Sequence, residues 1–294
     1  MKLFKRKPRS KNIYISGTRN TIVYAIVFVF FVLYAFSLIF PYFIVVGNSF
    51  KNLSEYSESI FSLPKQLFIT GDVFKNYREV FVEYDVLQMF INTIILTIGG
   101  TILGVLFPST VSFILAKYKF KFNSLIYTIA IVFMMVPGVG TLTATVKLFN
   151  DLNLMDTYFG VFCLYASPFG AYFFILFAYY KGLSSTYMEA AYIDGANDFY
   201  IFFKIILPMS KAGLSTIAIL VGLNTWNDYF TPYMYMPNVK TLSTGLEELS
   251  SNIFGGGMLK LFAAMVCMTV PVLIVFFIGG RNMLENVAAG GIKE

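Results

Sequence analysis

The sequence predicts an all-α, polytopic membrane protein with six transmembrane helices. Composition comes first: 57% of the 294 residues are hydrophobic and 13% are charged, with mean hydropathy +0.70. Soluble domains carry about 25% charged residues. The second observation is run length. A hydrocarbon core of about 30 Å takes roughly 20 helical residues to cross, and apolar runs of that size occur at about 21–46, 90–116, 124–146, 158–180, 209–230 and 258–280. Helix is the expected form because it pairs every backbone polar group within its own segment.

The elements follow in order. The first run is too long for a signal-peptide core and lacks a small-residue cleavage site, so it reads as a retained span. Runs two to five mix Gly, Pro, Ser, Thr and Asn with their apolar residues, as helices packed on one another around a cavity do. Gly100-Thr101-Ile102-Leu103-Gly104 in run two marks helix packing rather than a particular dimer. Pro and Gly interrupt run three at Met134-Met135-Val136-Pro137-Gly138-Val139-Gly140 and run four at Ser167-Pro168-Phe169-Gly170. The segment from Thr231 to Gly257 ends in three glycines and reads as a flexible loop. No internal repeat is present. The organisation is a basic segment 1–20, one transmembrane domain 21–280 with a large loop at 181–208, and a tail 281–294.

Charge sets the expected orientation. The first twenty residues hold seven Lys or Arg (Lys2, Lys5, Arg6, Lys7, Arg9, Lys11, Arg19) and no acid. With six alternating spans and a cytoplasmic N-terminus, the inner segments hold 15 Lys and Arg and the outer ones 7. That bias obeys the positive-inside rule, reinforced by Lys117-Tyr118-Lys119-Phe120-Lys121. Both termini and the 181–208 loop are expected in the cytoplasm. The basic N-terminus is read as a topology anchor near anionic membrane lipid, with no nucleic acid as partner.

Several chemistries are set aside. The chain has no His, which removes His-based acid–base catalysis and His-ligated metal sites. Cys163 and Cys267 fall in separate apolar runs and read as small apolar residues. Gly255-Gly256-Gly257-Met258-Leu259-Lys260 lacks the spacing and hydroxyl of a phosphate-binding loop. Acids are nearly absent from the runs, Asp228 near the end of run five coming closest. An ion-coupled carrier usually places ionisable groups at the midplane, and a membrane enzyme needs an acid or His constellation.

Residues 181–208 are far more than a connection needs. Thr186-Tyr187-Met188-Glu189 has capping-box spacing, Gly195 is suited to end the helix with positive φ, and Asn197 or Asp198 is suited to cap a second helix that carries Phe199, Phe202, Phe203, Ile205 and Ile206 and stops at Pro208. Two readings fit: a plug that docks on a partner, and an amphipathic segment lying on lipid.

Here a resemblance enters. Glu189-Ala190-Ala191, Gly195, Ile205 and Leu207-Pro208 match, without a gap, the "EAA" motif of ABC importer permeases of type I, and Ile193-Asp194-Gly195-Ala196 resembles its carbohydrate-uptake branch. Asn92-Thr93, Ala116-Lys117-Tyr118-Lys119-Phe120 and Trp226-Asn227-Asp228 are similar to that branch. So is the tail from Arg281 to Lys293, which resembles maltose-permease-G-like subunits. The resemblance implies that the loop forms coupling helices fitting a cleft on an ATPase. Glu189, Ala190, Ala191, Asp194, Gly195, Leu207 and Pro208 would then make or permit that fit, and Gly290, Gly291 and Lys293 would lie at the ATPase interface. It also implies a second permease subunit as heterodimer partner, an ATPase dimer that binds ATP and Mg, an extracellular solute-binding protein, a sugar substrate and the plasma (inner) membrane of a bacterium or archaeon. Ser184 stands where many members have Pro, and Asn282-Met283-Leu284 departs from the usual aromatic tail. Glycerol-3-phosphate or another polar solute is the alternative cargo.

For that cargo, Asn224, Trp226, Asn227, Asp228 and Tyr229 are candidate path residues, because hydroxyls bond to Asn and Asp and sugar faces stack on aromatic rings. The same residues also fit an interfacial anchor. The segment at about 48–88, with six acids and four bases, is a candidate receptor contact.

Overall fold

The computed structural model describes residues 18–65, 72–136, 138–251 and 257–291, all helix and connection with no strand among them. In chain order the helices are α1 (Thr18–Ser49), α2 (Leu53–Glu58), α3 (Lys75–Glu83), α4 (Val86–Lys117), α5 (Asn123–Met135), α6 (Leu142–Asp151), α7 (Tyr158–Tyr165) and α8 (Ala171–Gly182). There follow α9 (Thr186–Ile193), α10 (Asp198–Met209), α11 (Lys211–Trp226), α12 (Phe230–Tyr235), α13 (Leu242–Ser251) and α14 (Gly257–Gly291). Most of the basic segment, residues 1–17, lies outside the described residues.

Among the described residues, three helical stretches are long and apolar enough to cross a membrane: Thr21–Ser49, Val86–Lys117 and Gly257–Ile278. Runs three and four fold in pieces at the interruptions read in their sequence, and run five folds as one helix shorter than the run. Run three divides into α5, a 3-10 turn over Gly138–Thr141 and α6. Run four divides into α7 and α8 around Gly170, whose φ of 140° only glycine adopts freely. Run five becomes α11, set at 81° to α10. α14 continues past the expected end of run six as far as Gly291, so the tail is helical where it is described.

α4 is the axis of the bundle and packs most extensively against α8 and α11. Its glycines make this possible. A Cβ on Gly99 would sit 2.4 Å from the Phe162 ring, one on Gly100 would sit 2.7 Å from the Tyr165 ring and 3.0 Å from Thr225, and one on Gly104 would sit 3.0 Å from Val221. The G-x-x-x-G pair therefore seats α7 and α11 within this chain. Near the end of α4 a buried cluster joins Phe113, Leu176, Tyr180, Ile201, Phe202 and Ile206. The Ser109 and Tyr180 hydroxyls share a 2.6 Å hydrogen bond beside it.

At the other end of α4, Asn92 accepts hydrogen bonds from Tyr158 (2.7 Å) and Gln88 (2.8 Å) and donates to the Lys240 carbonyl (2.7 Å). Thr93 accepts the Leu242 amide at 2.9 Å. These bonds fix the connection read as a flexible loop, which instead contains α12 and α13 with Leu242 and Leu249 buried; residues 252–256 lie outside the described residues. The described parts of the 48–88 segment, 48–65 and 72–88, are tied down as well. Lys51 is buried and donates to the Ser59 and Ile60 carbonyls, while Asn76 donates to the carbonyls of Ser49 and Lys51.

Gly100→Val is expected to destabilise the protein by about 1–3 kcal/mol, the usual consequence of overpacking a close helix contact. A thermal melt of the assembled protein measures this, and a transition unchanged from wild type would remove the packing role.

Candidate functional site

The loop at 181–208 gathers at the Lys117 end of α4. Its first helix, α9, ends as its sequence suggests. Gly195 takes φ 81°, its amide bonds to the Tyr192 carbonyl (3.0 Å), and the Ala196 amide reaches back to the Ala191 carbonyl (2.9 Å). These bonds close the helix with the last carbonyls satisfied. The expected Thr186–Glu189 capping box does not form. The Ser185 carbonyl already accepts the Met188 and Glu189 amides at 2.9 and 3.0 Å, so the donor meant for the Thr186 hydroxyl is taken. Ser184 covers the helix start instead, its hydroxyl accepting the Thr186 amide at 3.3 Å. The Glu189 side chain is left exposed.

α10 begins at Asn197, whose side chain accepts the Tyr200 amide at 2.8 Å. Ile201–Ile206 is wound as a π-helix. Pro208, just beyond, has no amide and its ring crowds the carbonyl one turn back, and the wider π turn relieves both. The helix runs one residue past its expected stop at Pro208. It turns at Ser210, which is fully buried and whose amide bonds to the Ile206 and Leu207 carbonyls.

The aromatic run divides by face. Phe202 packs on Phe113 at 5.1 Å between centroids and belongs to the core, whereas Phe199 is 78% exposed. Ala191 is likewise buried in this chain's own packing, so only Ala190 of the pair is open to an approaching surface. Leu207 is half-buried and Pro208 exposed. The outward face thus carries Glu189, Ala190, Asp194, Gly195 and Phe199, with Ile193, 86% exposed, at its centre. Ile193 was not among the residues expected there, and it gives the face an apolar centre between the two acids.

Sequence reasoning also missed what holds the loop. Asp198 Oδ1 accepts hydrogen bonds from the hydroxyls of Tyr118 (2.9 Å) and Tyr192, and the two hydroxyls stand 3.1 Å apart. This joins the residue after α4 to both α9 and α10. Lys117 adds a second tie, donating to the Leu183 carbonyl. The Tyr192 and then the Tyr118 hydroxyl hold the Asp198 carboxyl below the usual carboxylate range. Burial, and then the bonds to Tyr192 and Asp198, push the Tyr118 phenol up.

The candidate path residues lie near the opposite end of α4. Phe90, 27 residues before Lys117, packs edge-on against Trp226, so a helical rise of 1.5 Å per residue puts the two regions about 40 Å apart. Trp226 is 8% exposed and belongs to a core cluster, so little of its ring is open to a substrate; what it shows lines an apolar groove with Ile94, Leu223 and Val272. Asp228 is also turned to its own chain, accepting from the Tyr165 hydroxyl (2.9 Å) and the Thr231 amide (3.0 Å). Asn224, Asn227 and Tyr229 are exposed, with Asn224 donating to the Tyr172 hydroxyl and Tyr229 stacked on Tyr233. Gly290 and Gly291 end α14, and Lys293 lies outside the described residues.

The model of the family described as "Binding-protein-dependent transport system inner membrane component" matches residues 108–283. The arabinooligosaccharides transport system permease protein AraQ of Bacillus subtilis is 30% identical over 271 residues, covering 90% of this chain and 94% of that protein. The diacetylchitobiose uptake system permease protein NgcG of Streptomyces coelicolor is 30% identical over 271 residues, covering 89% and 86%. A solved bacterial ABC transporter involved in the import of the acidic polysaccharide alginate contains a chain of the same fold. Its TM-score is 0.80 at 21% identity, with 91% of this chain and 98% of that chain covered.

Asp198 binds its proton less tightly in the folded chain than in the unfolded one. Its stabilising tie is therefore complete above the ordinary carboxylate range and is lost as pH falls through the lowered value. Hydrogen exchange over residues 190–200, corrected for intrinsic rates, should be faster in Asp198→Asn at neutral pH, with wild type approaching the variant on acidification. Equal protection in both proteins at every pH would show that the carboxylate does not hold the loop.

Proposed function

We propose, from the premise that this chain belongs to the binding-protein-dependent transport system inner membrane components, that it is one half of a two-permease pathway for a sugar or oligosaccharide. It is an importer permease, a multi-pass membrane protein that works with other transporter components and is not itself an enzyme. The sugar assignment draws on relatives whose names specify arabinooligosaccharides and diacetylchitobiose. In this reading the partner permease completes a heterodimer, a receptor delivers substrate from outside, and two ATPases bind ATP and Mg on the cytoplasmic side. Both termini and the Glu189 loop then face the cytoplasm, in accord with the basic segments.

One observation carries the mechanical part. An outward face centred on Ile193 and flanked by Glu189, Asp194 and Phe199 is backed by the Asp198 tie and the buried Phe202. A surface so mounted moves as a body with the end of α4 and with α11. ATP-driven closure of the ATPases would push it, and the pathway would open outward to the loaded receptor. The residues of this chain do the coupling and line the path; the hydrolysis is assigned to the partner chains. Glu189, exposed and without an ion-pair partner among the described residues, is the group we assign to a basic residue of the ATPase. Asn224, Asn227 and Tyr229 are assigned to the substrate path, and Gly290, Gly291 and Lys293 to the ATPase interface.

The test is ATPase activity of the reconstituted complex with its receptor and a panel of oligosaccharides. Reversing the charge in a pair buried at the interface costs several kcal/mol, so Glu189→Arg is expected to abolish sugar-stimulated hydrolysis while the complex still assembles. Stimulation equal to wild type would sink the coupling role, and stimulation by no sugar would sink the substrate class. A second readout uses the helix end. Gly195→Val, strained at φ 81° by about 1 kcal/mol or more, should weaken stimulation without preventing assembly.

A further inference from the structure

We propose that the groove between the end of α4 and α10 seats an acyl chain of an anionic phospholipid, with Lys119 and Lys121 holding the headgroup. The groove has a volume of about 560 Å³, and its lining includes Thr110, Phe113, Ile114, Phe120, Phe199 and Phe203. Ile114 and Phe203 are 41% and 48% exposed despite facing this space.

Depth argues for lipid over a soluble partner. Thr110 and Ile114 lie seven and three residues before Lys117, the last residue of α4, which sets the floor about 10 and 5 Å inside the end of a membrane-crossing helix. A partner docking from outside the bilayer reaches the Phe199 rim and no deeper. A hydrocarbon core of about 30 Å centred on this helix, about 48 Å long at 32 residues, ends about 9 Å inside Lys117, so an acyl chain enters the groove at its Thr110 floor and the headgroup lies at the level of Ile114 and the lysines.

Charge argues for an anionic headgroup. Lys119 lines the mouth of the groove and Lys121 follows it, both are exposed, and neither has an ion-pair partner among the described residues. Lys117 is committed to the Leu183 carbonyl and is not available. The acid in the lining, Asp198, is turned to the hydroxyls of Tyr118 and Tyr192 and does not contest the site. Clustered Lys at the end of a span attracts acidic lipid. The lipid would fill the space beneath α10 and support it from the membrane side. This last consequence rests on the importer reading; the binding itself does not.

The assembled transporter is placed in phosphatidylcholine nanodiscs that contain phosphatidylglycerol with a photoactivatable group in its acyl chain, and adducts are mapped by mass spectrometry. Adducts are expected on peptides bearing Ile114 and Phe203, reduced several-fold in the double variant Lys119→Glu, Lys121→Glu. Ile114→Trp, which fills the groove and leaves the lysines intact, should reduce them as well. Equal labelling by a phosphatidylcholine analogue, or labelling indifferent to both variants, would mean ordinary surrounding lipid and overturn the proposal. So would a groove free of adducts and shielded by another subunit. Labelling is read without hydrolysis, so it stands or falls separately from the coupling assignment.

Discussion

Close approach to one helix is the constraint on which the rest of this molecule depends. Within a bilayer, lipid tails satisfy apolar side chains as well as another helix does, so association relies on dispersion contacts and buried hydrogen bonds, both of which need short distances. α4 supplies those distances through Gly99, Gly100 and Gly104. The same helix carries hydrogen bonds to its other neighbours. Ser109 meets Tyr180 at one end, and Asn92 and Thr93 reach the connection before α13 at the other. The two candidate regions, the 181–208 loop and the stretch around 224–229, are therefore mounted at the two ends of a single rod.

Much of the architecture was legible because membrane length is a strong filter. Thr21–Ser49, Val86–Lys117 and Gly257–Ile278 follow directly from unbroken apolar sequence. A hydropathy window cannot tell a continuous helix from two short ones joined at the same depth, so the length filter counts runs three and four as single spans even though their Pro and Gly mark the interruptions at which they fold in pieces. The signs of breakage, Pro137 and Gly170, were visible, but their geometric effect depends on what packs around them. The 231–257 connection was misread for a different reason. Its glycines dominated the pattern, while Leu242 and Leu249, two helical turns apart, carried the weaker signal of an amphipathic helix that buries one side.

The loop shows the same divide between local and distant information. Gly195 and Asn197 behave as their chemistry demands because helix ends are decided by a handful of adjacent residues. The capping box failed for an equally local reason, a carbonyl that reached the amides first. Nothing local could reveal the tie between Tyr118, Tyr192 and Asp198, whose members lie 74 and 80 residues apart in sequence. The division of Phe199 from Phe202 and of Ala190 from Ala191 was hidden too, since it depends on which side of the helix meets α4. Trp226 is the converse case. An aromatic ring in a polar stretch suggests sugar stacking, yet its area is used in packing on Phe90.

The 81° elbow at Ser210 gives this chain a bell-crank. α10, at 12 residues, is about 18 Å long, and α11, at 16 residues, about 24 Å. The corner is buried and its amide bonds to two carbonyls, so the chain's own packing fixes the bend. Were the two arms to turn as one about Ser210, about 1 Å across the tip of the short arm would become about 1.3 Å at the tip of the long one, rotated through nearly a right angle. Motion transverse to one arm would then be delivered as motion transverse to the other, with a mechanical advantage set by the number of residues on each side of the bend.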